Sequence, residues 1–423
     1  MPIEYRALLI LGFMIVSFLL NKWPRGLTTM TCCLLFYITG VLDLKTAFSG
    51  ITNSTILMIA GLFVAINAMQ RTSAMAKMQG IIGMLSDKSG TALLIGFFAV
   101  TILFAQFLGT TASVPILISF LCTVPDKEEF TVSRLAIPIA GLTAMWQYTF
   151  PVGTSLVLPT ELNAFYEGMV TDSSHLITLL DPLKLKLLPC LMVTVWTFFA
   201  YKLMPKVTAN IQSSAKAAKE TEKLPAWKEY VIYCVMLADM VGLFLGSKIG
   251  EWQYVIPLAG LFVLAYTKAV SVPTIIKDIT SDTIWMIAGI LVMSTALNSS
   301  GAGLILGNGI VSLLGEKPNQ ILALVVFGAA TGIMTNLMSN IASRAVVAPI
   351  AAMTAISAGW NPVPFVLTVS QMAWCAVVLP SASSATALAH ATSNQSLRDS
   401  LKYSIPFFVL ALIGCVISAM LFF

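Results

Sequence analysis

Two clusters of small polar residues interrupt apolar sequence, Gly109-Thr110-Thr111-Ala112-Ser113 and Ser339-Asn340-Ile341-Ala342-Ser343. Two more follow a proline, Pro151-Val152-Gly153-Thr154-Ser155 and Pro380-Ser381-Ala382-Ser383-Ser384. Thr110, Thr111, Thr154, Ser155, Thr335, Ser339, Asn340, Ser383 and Ser384 supply neutral oxygen and nitrogen ligands, with no strong acid or base among them. Such groups bind ions reversibly: helix N-termini present free N–H groups to an anion, while hydroxyls and unwound carbonyls coordinate a small cation. Bond-making chemistry is not indicated, because no Ser/His/Asp set, carboxylate pair or HExxH accompanies them. Seven cysteines without a CxxC, and only two histidines, support neither a disulfide framework nor a metal cluster. Small polar residues also let membrane helices pack closely, but four breaks at matching places favour a site.

The elements that must position these residues follow from composition. The chain has 423 residues, 57% of them apolar and 10% charged, and a mean hydropathy of +0.88. A soluble domain carries about 25% charge, so the chain is read as an all-α integral membrane protein. Long runs such as 8–20 and 407–423 exclude the alternating ten-residue pattern of a barrel. The +5 net charge is not gathered into a phosphate-tracking patch, so no nucleic-acid partner is expected. Apolar runs predict spans near 5–21, 26–42, 52–70, 132–165, 183–204, 228–247, 253–270, 282–299, 361–394 and 403–423. Residues 91–124 and 319–358, apolar but broken at the polar clusters, predict re-entrant hairpins. The first run meets Asn21-Lys22-Trp23-Pro24 without a small-residue cleavage site, and so reads as a retained helix.

The chain also repeats itself. Ile51-Thr52-Asn53-Ser54-Thr55-Ile56-Leu57-Met58-Ile59-Ala60-Gly61 aligns with residues 279–289 with eight of eleven identities, and the tips and proline breaks align with small adjustments. Five crossings plus a hairpin in each copy is an odd number of crossings, which inverts the second copy relative to the first. Lys and Arg concentrate in cytoplasmic loops. Ten crossings with both termini outside places seventeen of them inside and six outside, Lys184 and Lys186 among the six. The charged stretch 205–227 reads as a cytoplasmic linker. Paired broken helices in inverted repeats are the best sequence pointer to a transporter site.

Several residues carry two readings. Arg344, just past the second tip, either pairs with a substrate carboxylate or sulfate or stands in for a coupling cation, or else forms a fixed ion pair. Asp239 lies within the sixth crossing, where a neighbouring polar group or a wet crevice would meet it. Glu161 and His390 could face an aqueous vestibule from the second halves of the broken helices. Ser73–Ser86 and Gly301–Leu314 are too short to span and read as horizontal interfacial arms.

The motifs resemble those of the divalent anion:sodium symporter family of the ion-transporter superfamily over nearly the whole chain. Ala47-Phe48-Ser49-Gly50-Ile51-Thr52-Asn53-Ser54-Thr55, with Ile59-Ala60-Gly61-Leu62-Phe63-Val64 and Arg71-Thr72, is similar to the family's third-helix segment. Ser339-Asn340-Ile341 and Gly109-Thr110-Thr111 stand at its Ser-Asn-Thr tip positions, Gly153-Thr154-Ser155 and Ala382-Ser383-Ser384 at its Gly/Ala-Thr-Pro positions. The chain departs in lacking Ser-Asn at the first tip, in Ile341, and in lacking a Thr-Pro-Pro run. The resemblance implies an elevator-type transporter that is a homodimer, takes a small anionic substrate and uses sodium. It implies substrate binding by Thr110, Thr111, Thr154, Ser155, Asn340, Ser383 and Ser384, to which Arg344 is added on the strength of its charge. It implies sodium binding by Gly109, Thr110, Gly153, Thr335, Met338, Asn340 and Ala382. Residues 1–42 and 228–270 would form the scaffold, and residues 43–204 and 271–423 the transport parts.

The expected function is secondary active transport of small divalent anions, di- or tricarboxylate or sulfate-like, sodium-coupled, in a multi-pass protein of the bacterial inner membrane. Alternatives are a sodium-independent anion exchanger, a cation/proton antiporter or arsenite-type carrier of the superfamily, a passive channel, and an intramembrane enzyme. The hairpins offer no Asp or Glu to an antiporter, and the chain offers no convergent acids or histidines to an enzyme. No organic cofactor is expected, and no metal other than sodium.

Overall fold

The computed structural model describes residues 1–20, 22–73, 90–123, 130–170, 173–209, 224–313 and 319–423. Every regular element among them is helical. The first half runs α1 (Ile3–Leu20), α2 (Arg25–Ile38), α3 (Leu44–Ala47), α4 (Ser54–Met69), α5 (Gly90–Phe107), α6 (Thr110–Thr123), α7 (Val132–Trp146), α8 (Leu158–Asn163) and α9 (Asp181–Ala200). The second runs α10 (Ala226–Leu245), α11 (Trp252–Tyr266), α12 (Val272–Ile279), α13 (Asp282–Ser299), α14 (Ala302–Leu313), α15 (Gln320–Leu337), α16 (Asn340–Ser357), α17 (Val363–Ala373), α18 (Ser384–Ser393) and α19 (Leu397–Phe422). The arm expected over 73–86 lies outside the described residues except for Ser73, as do 210–223 of the linker; the second arm is α14.

Side-chain caps place the helix starts. Asp43 accepts from the Lys45 and Thr46 amides, Asn53 from Thr55, Asn319 from Ile321 and Leu322, and Ser396 from Asp399, each satisfying N–H groups that the first turn leaves free. Five helical stretches, Asp181–Leu203, Val272–Ser299, Gln320–Leu337, Asn340–Ser357 and Leu397–Phe422, are long and apolar enough to cross a bilayer. Apolar side chains face outward at helical spacing: Leu9, Phe13 and Val16 on α1, Leu191, Val195 and Phe199 on α9, Leu237, Val241 and Phe244 on α10, Val409, Ile413 and Ile417 on α19. Stripes of that kind are tolerated outside only where the solvent is itself apolar.

The two halves interlock. The second helix of each packs on the fourth helix of the other, α2 on α13 and α11 on α4, and the closing helices α9 and α19 lie along each other. The alignment of 51–61 with 279–289 supplies the crossing points. A Cβ on Gly289 would meet the side chain of Thr29, and one on Gly61 would meet the backbone of Pro257. Only glycine lets the backbones approach so closely.

Candidate functional site

The first break begins where α7 ends. Gln147 turns extended at φ −57° and ψ 136°, Tyr148 takes φ +63°, and a tight turn over Gly153–Val157 leads into α8. Gly153 sits at φ +56°, where a Cβ would also press on the Gln106 carbonyl. A helix opened in hydrocarbon leaves N–H and C=O groups that cost several kcal/mol each unless they are satisfied. Gln106, in the last turn of α5, satisfies them. Its Nε2 donates to the Trp146 carbonyl at 2.7 Å, its Oε1 accepts from the Phe150 amide at 3.1 Å, and its own carbonyl accepts from Thr154 Oγ1 at 3.1 Å. At the adjoining tip, the Thr110 amide donates to Gln147 Oε1 at 3.1 Å, and the Thr110 hydroxyl donates to the same oxygen.

The second break repeats this arrangement. α17 ends at Ala373 and α18 starts after Ser383, whose hydroxyl accepts from the Thr386 amide at 3.1 Å. Asn336, in the last turn of α15, donates to the Cys375 carbonyl at 3.2 Å and accepts from the Val378 and Leu379 amides at 2.9 and 3.2 Å. In the repeat alignment Gln106 falls on Asn336, Trp146 on Cys375, and Phe150 on Leu379. A carboxamide clasps the broken helix to its hairpin at equivalent places in both halves. Thr335 adds a second tie, with its hydroxyl 2.9 Å from Asn340 Oδ1 and 2.5 Å from the Ala373 carbonyl oxygen.

The two breaks meet. The rings of Tyr148 and Trp374 lie 5.4 Å apart, and Gln371 of α17 donates to the Met145 carbonyl of α7 at 3.1 Å. Arg344 of α16 pairs with Glu161 of α8, both buried, and its guanidinium lies 5.8 Å from the Phe165 ring centroid. Among the described residues, Arg344 Nε and Nη1, Ser155 Oγ, Trp374 Nε1 and Gln371 Oε1 are buried without a hydrogen-bond partner. Native interiors leave few polar atoms in that condition, so each of these calls for an explanation.

Of the residues singled out in the sequence, Thr110, Thr154, Thr335, Asn340 and Ser383 engage the tips and breaks through the bonds above. Met338 and Ala382 are buried beside them and Gly109 is half-buried. Ser155 is buried with no partner for its hydroxyl among the described residues, whereas Thr111 and Ser384 are exposed. Three readings change. Lys186 is not an outside loop charge: it is 1% exposed within α9 and its ammonium donates to the Gln147 carbonyl. Glu161 does not face a vestibule, because Arg344 holds it in the interior. Asp239 is wholly buried in α10, and neither carboxylate oxygen has a partner among the described residues. Sequence reasoning missed Gln106, Asn336, Gln147, Gln371, Trp374 and Lys186. Matched carboxamides at the end of each first hairpin arm were the available signal for the first two. An apolar cavity of about 310 Å³ between α4, α11 and α13 includes no tip or break residue in its lining.

A family model described as citrate transporter matches residues 15–370. The uncharacterized transporter YfbS of Escherichia coli is 27% identical over 204 residues, which is 47% of this chain and 32% of that protein. The chain thus spans about a third of that relative's length. An uncharacterized transporter of Haemophilus influenzae is 23% identical over 438 residues, 99% of this chain and 92% of that protein. Two solved structures share the fold. The YdaH transporter of Alcanivorax borkumensis has a TM-score of 0.59 at 13% identity, covering 99% of this chain and 96% of that one. MtrF of Neisseria gonorrhoeae, described with a class of antimetabolite efflux pumps, has a TM-score of 0.61 at 12% identity, covering 92% and 84%.

Proposed function

The chain belongs to the citrate transporter family, and on that premise we propose that it is a secondary active transporter of small divalent anions, di- or tricarboxylates foremost, coupled to sodium. The observation that carries the reading is the junction of two broken helices and two hairpin tips, each break held by a carboxamide from its own hairpin. The ties between tips and breaks support reading both hairpins as re-entrant and the two halves as inverted five-helix repeats. The transport parts, 43–204 and 271–423, move as an elevator against the scaffold of 1–42 and 228–270 in a homodimer.

Charge supports an anionic cargo. Arg344 and Lys186 are buried around the first break with Glu161 as the one buried carboxylate paired there among the described residues. The junction therefore carries an excess positive charge that a dianion offsets, and Arg344 Nε and Nη1, Ser155 Oγ and Trp374 Nε1 are donors with no partner among the described residues. Exposed Thr111 and Ser384 line the approach. Sodium, as cargo, fits the second half, where Thr335 Oγ1 lies 2.9 Å from Asn340 Oδ1 and the carbonyls of Met338 and Ala382 would complete a neutral oxygen set; Gly109, Thr110 and Gly153 hold the corresponding place in the first.

Uptake of labelled citrate, succinate and sulfate into proteoliposomes tests this. We expect saturable uptake driven by an inward sodium gradient, and counterflow of labelled substrate; no saturable uptake of any of the three refutes the substrate class. Asn340→Ala should abolish sodium-dependent uptake while the protein stays folded, and unchanged uptake removes that residue from the site. Proton coupling is the second reading, favoured by the buried Asp239 carboxyl, which has no partner among the described residues. It requires Asp239→Asn to flatten the pH profile of uptake.

A further inference from the structure

We propose that the ammonium group of Lys186 is a tethered cation, built into the first break at a place that the second half fills with neutral oxygens. Only the second half then offers a site to a mobile monovalent cation. The comparison between the halves carries this. Gln147 and Ala376 are equivalent in the repeat alignment, each just past the point where its helix opens. The Ala376 carbonyl accepts from the Thr386 hydroxyl at 2.6 Å, a neutral donor on α18. The Gln147 carbonyl instead accepts from Lys186, reaching in from α9.

The ammonium is held by groups that favour a cation. Its partners are a free backbone carbonyl at a helix break and the face of the Tyr148 ring, whose centroid lies 5.7 Å away. No carboxylate pairs with it among the described residues, the nearer acid on α9, Asp181, being held by Lys184. A buried charge without a countercharge is costly, and a fold carries one where the charge itself is used. Gln147 couples the position to the first hairpin, because its side chain also receives Thr110 at the tip. The second half differs in kind: the tie between hairpin and break runs through Thr335, whose repeat counterpart is Ala105, and the groups there are hydroxyl, carboxamide and carbonyl. Like charges repel, so Lys186 weighs against a free cation at the first break.

For its transport consequence the inference rests on the proposed function; its structural core does not. The test uses the full chain in detergent, wild type against Lys186→Ala, melted in choline, sodium or methylammonium chloride at constant ionic strength. Methylammonium is the free counterpart of the lysine head, and choline is too large for its place. We expect the Lys186→Ala melting temperature to fall in choline and to recover saturably by several degrees in methylammonium, with wild type flat to methylammonium. In proteoliposomes the variant's sodium dependence should steepen by one in Hill coefficient. Identical responses of both proteins to methylammonium and sodium overturn the proposal. If alanine is not recovered, Lys186→Ser, which leaves a hydroxyl as at Thr386, takes the same test. A variant recovered only when purified in methylammonium or sodium supports the proposal, and one lost in every salt overturns it. A wild type that transports no anion refutes the proposed function while the melting curves still decide the role of Lys186.

Discussion

Replacing Asn336 with alanine probes the physical basis of the broken helix. The side chain is buried, and it accepts from two amides of the break, Val378 and Leu379, while donating to the Cys375 carbonyl. Alanine leaves two N–H groups and one carbonyl without that partner. A buried group left unsatisfied costs about 1–3 kcal/mol, so the loss is on the order of 3–6 kcal/mol after partial relaxation. Gln106→Ala removes one break amide, Phe150, and one carbonyl, Trp146, for roughly 2–4 kcal/mol by the same reasoning. The ordering is therefore fixed: Asn336→Ala destabilises more than Gln106→Ala. One kcal/mol shifts the melting point by about 2–4 °C in domains of 150–250 residues and by less in a longer chain. The expected drops are of order 5 °C and 3 °C in detergent. The assay is thermal melting followed by intrinsic tryptophan fluorescence, with uptake measured in parallel. Melting points within a degree of wild type for both variants would refute the argument, because they would mean that water already satisfies the breaks and the clasps are incidental.

Two further outcomes follow from the packing. Arg344→Ala and Glu161→Ala should each cost about 3–5 kcal/mol, because either leaves a buried charge alone; the double variant should be less unstable than the sum of the two, and additive melting shifts would show that the pair is not coupled. Gly61→Leu and Gly289→Leu should prevent recovery of folded protein, since each drives a side chain into a crossing that the other half fills, whereas Gly12→Leu, which meets open space, should be recovered at wild-type yield in size-exclusion chromatography.

Much of the architecture is legible in the chain, and for a definite reason. Burial in a bilayer demands apolar runs, so the runs at 282–299 and 403–423 announce α13 and α19. Pro151, Gly153 and Pro380 announce where helices open, because those residue types act on their own backbone. The near-identity of 51–61 and 279–289 announces a duplication, and the fold uses its glycines as crossing points between the halves. Lys186 misleads because hydropathy reports that a charge lies near a run's end, not which way the side chain turns. Arg344 stands out as anomalous, but its partner lies 183 residues away in another element. Gln106 and Asn336 give almost no local signal, since a single carboxamide in an apolar helix looks the same whether it faces a neighbour or a break.

Sequence alone thus determined the helical class, the membrane solvent, the duplication and the four interruptions, because each depends on properties a residue carries into every context. Tertiary structure alone decided which groups satisfy the opened backbone, which carboxylate meets Arg344, and that an ammonium caps one break and a hydroxyl the other. Those outcomes depend on distances of about 3 Å between residues remote in the chain, and a hydrogen bond at that range exists only once packing has brought its two ends together.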